Sequence, residues 1–180
     1  MSAWKNAFAA ALVLALPGLA AAQPAADPGL GISNAVQPED GLLVAGQPTA
    51  QQLKAAAKAG YRSVIDLRGQ GEDRGFDEEK ATRKAKLAYS NIEVTPDTLS
   101  QSKVLYFLMV AREAERPVLL HCSSGNRAAA MYYAWLVLEK GMPEAQALER
   151  AQAAGLQSPE LGEQIKAVVA GIKASQRPPG

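Results

Sequence analysis

Short apolar runs alternate with amphipathic segments along most of the chain. Four such runs, at residues 42–45, 63–67, 88–94 and 117–121, predict short β-strands. The segments between and after them carry helix-capping residues, as in the capping box that begins at Thr49, and predict helices. These predicted helices begin at Thr49, Asp77, Ser100, Arg127, Pro143 and Pro159.

This alternation of strands and helices predicts an α/β fold, a three-layer sandwich in which helices flank a short, mostly parallel sheet. Ligands of such folds bind at the carboxyl ends of the strands. Loops 68–75, 95–100 and 122–127 each follow a predicted strand. Because parallel strands all end at the same edge, we expect these three loops to lie together and to hold the functional residues.

The first 22 residues have the pattern of a cleaved signal peptide. Lys5 provides the positive charge, residues 7–16 form an apolar run, and small residues at 20–22 suit a cleavage site. We therefore expect a periplasmic or secreted protein that has no membrane attachment after cleavage. The remaining chain divides into a loose leader at 23–40, a single domain at 41–174 and a tail at 175–180.

Composition and charge exclude several classes of protein. Hydrophobic residues make up 48% of the 180 residues and charged residues 21%, which suits one globular domain. The formal net charge of +1 predicts no nucleic-acid partner. Cys122 is the single cysteine and His121 the single histidine, so an internal disulfide and the usual Cys/His zinc cage are excluded. We expect neither a metal nor a cofactor.

The segment PVLLHCSSGNRAAA, residues 117–130, carries the strongest chemical signal. A predicted strand delivers Cys122 to a polar loop, and a helix follows at once. Free N–H groups in such a loop and in the first helical turn form a concavity that binds anions and favours thiolate over thiol. Gly125 permits a tight backbone, and Arg127 adds a planar fork of donors for oxyanions. Cys122 is therefore predicted to be a nucleophile.

The sequence HCSSGNRA resembles the catalytic loop of cysteine-dependent tyrosine and dual-specificity phosphatases. With GQPT at 46–49 and YRSVIDLRG at 61–69, the chain is more closely similar to bacterial phosphatase-like proteins related to two domains. These are the N-terminal domain of beta-lactamase-hydrolase-like proteins and the phosphatase domain fused to NAD kinase. The resemblance implies a tyrosine-phosphatase-like fold, with Cys122 as nucleophile and Arg127 as oxyanion ligand. It also implies that four residues bind substrate through backbone amides: Ser123, Ser124, Gly125 and Asn126.

One departure from the phosphatase pattern leaves a second chemistry open. The usual phosphatase loop has five residues between Cys and Arg, whereas only four separate Cys122 from Arg127. A spacer of four resembles that of rhodanese-type sulfurtransferases, whose shorter loop wraps a persulfide sulfur. Loop length thus favours sulfur transfer, while the layout of the whole chain favours a phosphatase.

Phosphate ester cleavage also needs an acid that protonates the leaving group, and persulfide transfer does not. Asp97 follows the strand predicted at 88–94 and is the predicted general acid, with Glu72 and Asp73 as alternates. His121 precedes the nucleophile, and the resemblance implies that it supports the loop. Direct proton transfer between His121 and Cys122 is not expected, because neighbouring residues on a strand point to opposite faces.

Three hypotheses follow. The first is an exported cysteine-dependent phosphatase-like hydrolase that acts on a phosphorylated small molecule or a phosphoprotein through a Cys-thiophosphate intermediate. The second is a rhodanese-like sulfurtransferase or persulfide carrier that uses the same cysteine with a sulfur donor and acceptor. The third is a non-catalytic anion-binding module.

Overall fold

Six short strands form one sheet in the computed structural model of the protein, which describes residues 25–26 and 28–176. In chain order the strands are β1 (Ala25–Ala26), β2 (Val36–Glu39), β3 (Leu42–Ala45), β4 (Ser63–Asp66), β5 (Ala88–Asn91) and β6 (Val118–His121). Their spatial order is β1-β2-β3-β6-β4-β5. Strands β3, β6, β4 and β5 are parallel to one another, and β1 and β2 add an antiparallel edge. The predicted mostly parallel sheet is confirmed.

The antiparallel edge corrects the predicted loose leader at 23–40. Within that segment Ala25–Ala26 and Val36–Glu39 are strands, and Val36 pairs with Val44 of β3. Strand β2 reads VQPE, a sequence with no apolar periodicity, and it forms because β3 offers it a partner. The predicted signal peptide at 1–22 lies outside the described residues. The predicted tail begins inside a helix, because the last helix continues to Ser175.

Six helices complete the described part of the chain: α1 (Ala50–Lys58), α2 (Glu78–Lys84), α3 (Gln101–Glu113), α4 (Asn126–Leu138), α5 (Glu144–Ala153) and α6 (Pro159–Ser175). The predicted caps are present. Thr49 and Gln52 form a capping box, and the Ser100 side chain accepts a hydrogen bond from Lys103 N. No helix of the described residues has the length and apolar character that crossing a membrane requires.

The two faces of the sheet pack against different helices. Leu43 and Ala45 point to the face covered by α1 and α2, and Leu42 and Val44 to the face covered by α3–α6. Strand side chains alternate between faces, so each strand contributes to two hydrophobic cores. The three-layer α/β sandwich is thereby confirmed. Helix α4 is central to the larger core, because every residue from Ala128 to Val137 is buried.

The parallel register brings the strand ends together at one edge. His121 pairs with both Ala45 and Asp66, and Asp66 pairs with Asn91. The segments that follow β3, β4, β5 and β6 therefore start side by side. As predicted, the loop that carries Cys122 opens at this edge, next to the segments that follow its neighbouring strands.

Candidate active site

Cys122 lies at the bottom of a tight loop between β6 and α4. The backbone N–H of Gly125 donates a hydrogen bond to Cys122 Sγ at 3.1 Å. Gly125 precedes the first residue of α4 and has a φ of 93°, in the left-handed region that favours glycine. A Cβ at that position would also lie 3.4 Å from the backbone carbon of Ala45. The side chain of Cys122 is buried, and its sulfur receives an amide hydrogen from the loop that surrounds it.

The outer side of this loop is tied to the segment around β3. Gln47 N donates to Ser123 O at 3.0 Å, and Asn34 Nδ2 donates to Ser124 O at 3.0 Å. The loop backbone approaches Gly46 so closely that a Cβ there would lie 3.1 Å from Ser123 O. Because these carbonyl oxygens already have donors outside the loop, its curvature is fixed before any ligand arrives.

Arg127 lies in the first turn of α4 and makes four hydrogen bonds. Its NH1 and NH2 groups donate to Glu72 Oε1 and Oε2, both at 2.6 Å. NH1 also donates to Val94 O and NH2 to Ser123 Oγ, each at 3.0 Å. The bidentate hydrogen bond that Arg127 donates to Glu72 raises the pKa of Arg127, burial opposes this, and the neighbouring Cys122 raises it further. A permanent cation therefore stands beside the sulfur.

Glu72 is held in the site by its contact with Arg127, which the sequence analysis did not predict. The bond from Arg127 lowers the pKa of Glu72, and a hydrogen bond from Gly69 N to Oε1 at 2.8 Å acts in the same direction. Both carboxylate oxygens of Glu72 are therefore occupied by Arg127 and Gly69, which makes Glu72 the partner of Arg127. Its role as an alternate acid stays a prediction. Asp73 is exposed and accepts from Gly75 N at 2.7 Å, which closes a local turn.

Asp97 lies in the loop between β5 and α3. This loop reaches the site through the hydrogen bond between Val94 O and Arg127. It is shaped by Thr95 and Thr98, whose side chains and amides bond to each other. The Asp97 side chain is exposed, and no described residue donates a hydrogen bond to it. Its role as general acid stays a prediction.

His121 belongs to a buried polar cluster behind the Cys122 loop. Its Nε2 lies 2.8 Å from Glu78 Oε1, and its Nδ1 lies 4.0 Å from Asp66 Oδ1 and 3.4 Å from Cys122 O. Arg68 completes the cluster, with Nε 2.9 Å from Asp66 Oδ1 and NH2 paired with Glu78. All four side chains are at most 1% exposed. The sequence analysis did not predict that Asp66, Arg68 and Glu78 form this cluster. The available signal was the pair of opposite charges, Asp66 and Arg68, at the end of an apolar strand.

The charges of this cluster compensate each other. Burial acts to raise the pKa of Asp66, but the hydrogen bonds from Arg68 and the electrostatic effect of His121 outweigh it, and the pKa falls to about 2. The Tyr89 hydroxyl donates to Asp66 Oδ2 at 2.9 Å. Asp66, Glu78 and His121 are close enough to share a metal ion. Arg68, however, already pairs with both carboxylates and supplies the positive charge that a metal would bring.

Asn126 differs from the other predicted substrate-binding residues. Its Oδ1 accepts hydrogen bonds from Gln157 N at 3.0 Å and Ser158 N at 3.4 Å. Its side chain therefore joins the Cys122 loop to the segment between α5 and α6. Ser123 meets Arg127 through its hydroxyl, and Ser124 and Gly125 form the turn that encloses the sulfur.

Comparison with known proteins places this arrangement in a family. The family described as "DSP-PTPase phosphatase fused to NAD+ Kinase" matches residues 31–168, more than half of the chain. The chain belongs to this family. Its matched region holds the sheet from β2 onward, the Cys122 loop and Arg127, so the site lies inside this DSP-PTPase domain.

The sequence relatives of this domain are longer proteins, and each match covers only part of the relative. The chain is 37% identical over 95 residues to a beta-lactamase hydrolase-like protein of Xylella fastidiosa, a match that covers 51% of the chain and 22% of the relative. It is 32% identical over 102 residues to the protein of the same name from Agrobacterium fabrum, covering 54% of the chain and 24% of the relative. The matches thus span less than a quarter of these relatives.

Solved structures confirm the phosphatase-like fold. A putative phosphatase (DUF442) from Shewanella putrefaciens CN-32 superposes with a TM-score of 0.68 at 23% identity, covering 81% of this chain and 92% of the other. Pseudomonas aeruginosa TpbA superposes with a TM-score of 0.66 at 23% identity, covering 85% and 91%. The tyrosine-phosphatase-like fold of the DSP-PTPase domain is therefore established.

Proposed function

We propose that the protein is an exported cysteine-dependent phosphatase that hydrolyses phosphate monoesters, with Cys122 as its nucleophile. One observation carries the proposal: the Gly125 amide donates to Cys122 Sγ in the loop that also begins the helix of Arg127. Amides directed at sulfur stabilise the thiolate, and the same amides then suit the oxygens of a bound phosphoryl group. A cysteine-to-serine variant of P. aeruginosa TpbA, a protein of the same fold, has been solved in complex with pTyr, which supports a phosphorylated substrate.

In the first step the Cys122 thiolate attacks phosphorus. An S–P bond forms, and the bond between phosphorus and the ester oxygen breaks. Asp97 gives its proton to that oxygen, which leaves as an alcohol or phenol. The loop amides and Arg127 bind the non-bridging oxygens, where negative charge must be stabilised. Arg127 has the Nε–H group available, and its bond to the Ser123 hydroxyl is one that a substrate oxygen can replace.

In the second step water hydrolyses the thiophosphate. Asp97, now a carboxylate, accepts a proton from water as its oxygen attacks phosphorus, and the S–P bond breaks. Cys122 leaves as a thiolate and inorganic phosphate is released. Glu72 keeps the guanidinium plane fixed through both steps, because its two oxygens hold NH1 and NH2 together.

The test is phosphate release from an aryl phosphate by the reduced protein. We expect turnover in the unaltered chain and none in Cys122→Ser. Ser124→Ala is the matched control, because it changes a neighbouring side chain and keeps the backbone amide. Rapid quenching followed by intact-mass measurement of Asp97→Asn should show one phosphoryl group on Cys122. A folded, reduced protein that neither turns over aryl phosphates nor gains a phosphoryl group would refute the proposal.

Sulfur transfer is the second candidate, and the short loop is the observation that favours it. Only four residues separate Cys122 from Arg127, so the loop between them is short. Glu72 already pairs with the guanidinium of Arg127, so little net positive charge remains for a phosphate dianion. In this reaction the Cys122 thiolate attacks the outer sulfur of thiosulfate. The S–S bond breaks, sulfite leaves with the electron pair, and cyanide then removes the outer sulfur from the persulfide as thiocyanate.

Separate incubations decide between the candidates. Incubation with thiosulfate should add the mass of one sulfur atom to Cys122 if the protein transfers sulfur, and cyanide should then release thiocyanate. A phosphatase gives neither result. Inorganic phosphate that binds equally to the unaltered chain and to Cys122→Ser, without turnover of either substrate, would instead support a non-catalytic anion-binding module.

Export is a proposal that rests on residues 1–22. Lys5, the apolar run and the small residues before Gln23 form the signal pattern. The test is the intact mass of the protein recovered from the periplasm or medium of a bacterial host. A chain that begins near Gln23 supports export, and a full-length chain retained in the cytoplasm refutes it.

A further inference from the structure

We infer that Asn34 is a positioning residue for the reaction proposed above, because its side chain fixes the direction of the loop amide that points at Cys122. This inference rests on the proposed function of Cys122. Asn34 Nδ2 donates a hydrogen bond to Ser124 O at 3.0 Å, and Gly125 N donates one to Cys122 Sγ at 3.1 Å. The carbonyl oxygen and the N–H in these two bonds belong to one peptide unit, which joins Ser124 to Gly125.

The two ends of this peptide unit point in opposite directions. The Ser124–Gly125 bond is trans, and a trans peptide is planar, with its C=O and N–H groups antiparallel. A donor that holds the carbonyl oxygen on the outside of the loop therefore aims the N–H at the inside. Asn34 is that donor, so a residue that does not contact the sulfur sets the orientation of an amide that does.

The preceding peptide unit is oriented in the same way. Gln47 N donates to Ser123 O from outside the loop, so the N–H of Ser124 also faces inward. Within the described part of the chain no group accepts a hydrogen bond from Ser124 N, which leaves it open to an oxygen of a bound phosphate. The donor of Gln47 is a backbone group that most substitutions keep, whereas the donor of Asn34 is a side chain. The orientation of the loop can therefore be tested at Asn34.

The freedom of Gly125 makes a donor on the outside of the loop important. Glycine adopts positive and negative φ with similar ease, so the peptide unit before Gly125 can rotate at little cost. After half a turn it would point Ser124 O, rather than an N–H, at Cys122. A carbonyl oxygen repels both a thiolate and the oxygens of a phosphate. The hydrogen bond from Asn34 thus stabilises the orientation that binds anions over the one that repels them.

The segment that carries Asn34 is anchored to the domain. Ile32 is buried in the core on the α1 side of the sheet, and Ser33 O accepts a hydrogen bond from Gly46 N at 2.8 Å. Asn34 itself has a φ of 53°, a left-handed conformation that asparagine tolerates better than most residues. Glycine would suit this turn equally well, but it has no side-chain donor. Asparagine therefore meets two requirements, the backbone of the turn and the hydrogen bond to the loop.

Two substitutions of Asn34 separate these requirements. Asn34→Gly keeps the turn and removes the donor, and it should lower kcat/KM for an aryl phosphate by about 3- to 10-fold. Asn34→Asp keeps the turn and the size but presents an acceptor, which repels Ser124 O and attracts the N–H of Gly125. It should favour the rotated peptide and lower kcat/KM by about 10²-fold. Ser33→Asp, which adds the same charge at the neighbouring exposed position, is the matched control and should lose far less activity.

The NMR signal of the Gly125 amide proton tests the inference without turnover. In the reduced protein Asn34→Asp should shift this signal strongly and Asn34→Gly less, because the bond to Cys122 Sγ is weakened, while Ser33→Asp should leave it in place. Urea denaturation shows that each variant is folded. An unchanged Gly125 signal in both Asn34 variants, or equal losses of activity in Asn34→Asp and Ser33→Asp, overturns the positioning role. If the unaltered chain turns over no phosphate ester but its Gly125 signal depends on Asn34, the phosphatase proposal fails and the positioning of the amide stands.

Discussion

Two arginine–carboxylate clusters lie at the same edge of the sheet and differ in their access to solvent. Arg127 and Glu72 form a bidentate pair whose side chains are 15% and 31% exposed. Arg68 lies between Asp66 and Glu78, and all three side chains are fully inaccessible. At the partly exposed pair, an arriving anion can take the place of the Ser123 hydroxyl on Arg127 while Glu72 stays bound. The buried cluster allows no such exchange, because each charge there depends on the others for compensation.

The comparison shows that arginine serves two purposes in this fold. Near Cys122, water can hydrate a charged group whose partner is removed, so breaking the Arg127–Glu72 pair should cost little stability. Behind His121, no water replaces a lost partner. We therefore expect the buried cluster to determine stability and the exposed pair to determine activity, and the four predictions below test that division.

The largest expected effect is that of Arg68→Met. Methionine fills part of the space but leaves Asp66 and Glu78 as unpaired buried charges, which should lower the free energy of unfolding by about 3–5 kcal/mol. Urea denaturation followed by circular dichroism measures the change. A loss below 1 kcal/mol, on the order of that for an exposed pair, would contradict the division between the clusters.

The same substitution at Arg127 should act on catalysis. Arg127→Met removes the guanidinium from the anion site and should reduce turnover of an aryl phosphate by about 10²- to 10³-fold. The free energy of unfolding should change by only about 1 kcal/mol, since Glu72 can be hydrated. Steady-state kinetics and urea denaturation on one preparation measure both. Equal losses of stability in the two methionine variants would show that the clusters do not differ.

Acid should destabilise the protein through Asp66. Its pKa is about 2 in the folded protein and 3.8 for an unperturbed group. Since the folded value is the lower one, the stabilisation is complete above about pH 4 and is lost as the pH falls towards 2. The loss amounts to about 2 kcal/mol. Denaturation at a series of pH values tests this, and Asp66→Asn should flatten the curve in that window.

The smallest effect is expected for Glu72→Gln. This change removes the negative charge that competes with a phosphate dianion for Arg127, so inorganic phosphate should bind about 3- to 10-fold more tightly. Asp73→Asn is the control, because it removes an equal charge from the same loop without contacting Arg127. Product-inhibition constants measure both. Equal tightening in the two variants would assign the effect to general charge rather than to the Arg127–Glu72 contact.

Local sequence signals predicted most of the fold. The capping box at Thr49, the Ser100 cap and the apolar strand at 117–121 depend on neighbouring residues, so the sequence contains the information that defines them. Strand β2 was missed because its stability comes from pairing with β3, which no local pattern reveals. The spatial order of the strands was likewise beyond the sequence.

The Cys122 motif could be predicted from the sequence, but the residues that contact and support it could not. One continuous segment with a recognisable spacing contains Cys122, Gly125 and Arg127, so these three residues could be assigned to the site. Glu72 is 55 positions from Arg127, and its partner is set by the parallel packing of β4 and β6. Glu78 pairs with His121 for the same reason. The sequence predicted that the loop of Glu72 lies near the site, but not that Glu72 pairs with Arg127, because that contact joins distant residues.

Gly46 carries no reactive group, yet its missing side chain makes room for the Cys122 loop. A Cβ there would come within 2.9 Å of Ser33 O and 3.1 Å of Ser123 O. Alanine at this position would displace the backbone of the Cys122 loop, although it would not change the chemical groups of Cys122, Arg127 or Glu72. A genetic screen for inactive variants should therefore recover substitutions of Gly46, although this residue takes no part in the chemistry. An active Gly46→Ala variant would show that the Cys122 loop deforms more easily than its close contacts indicate.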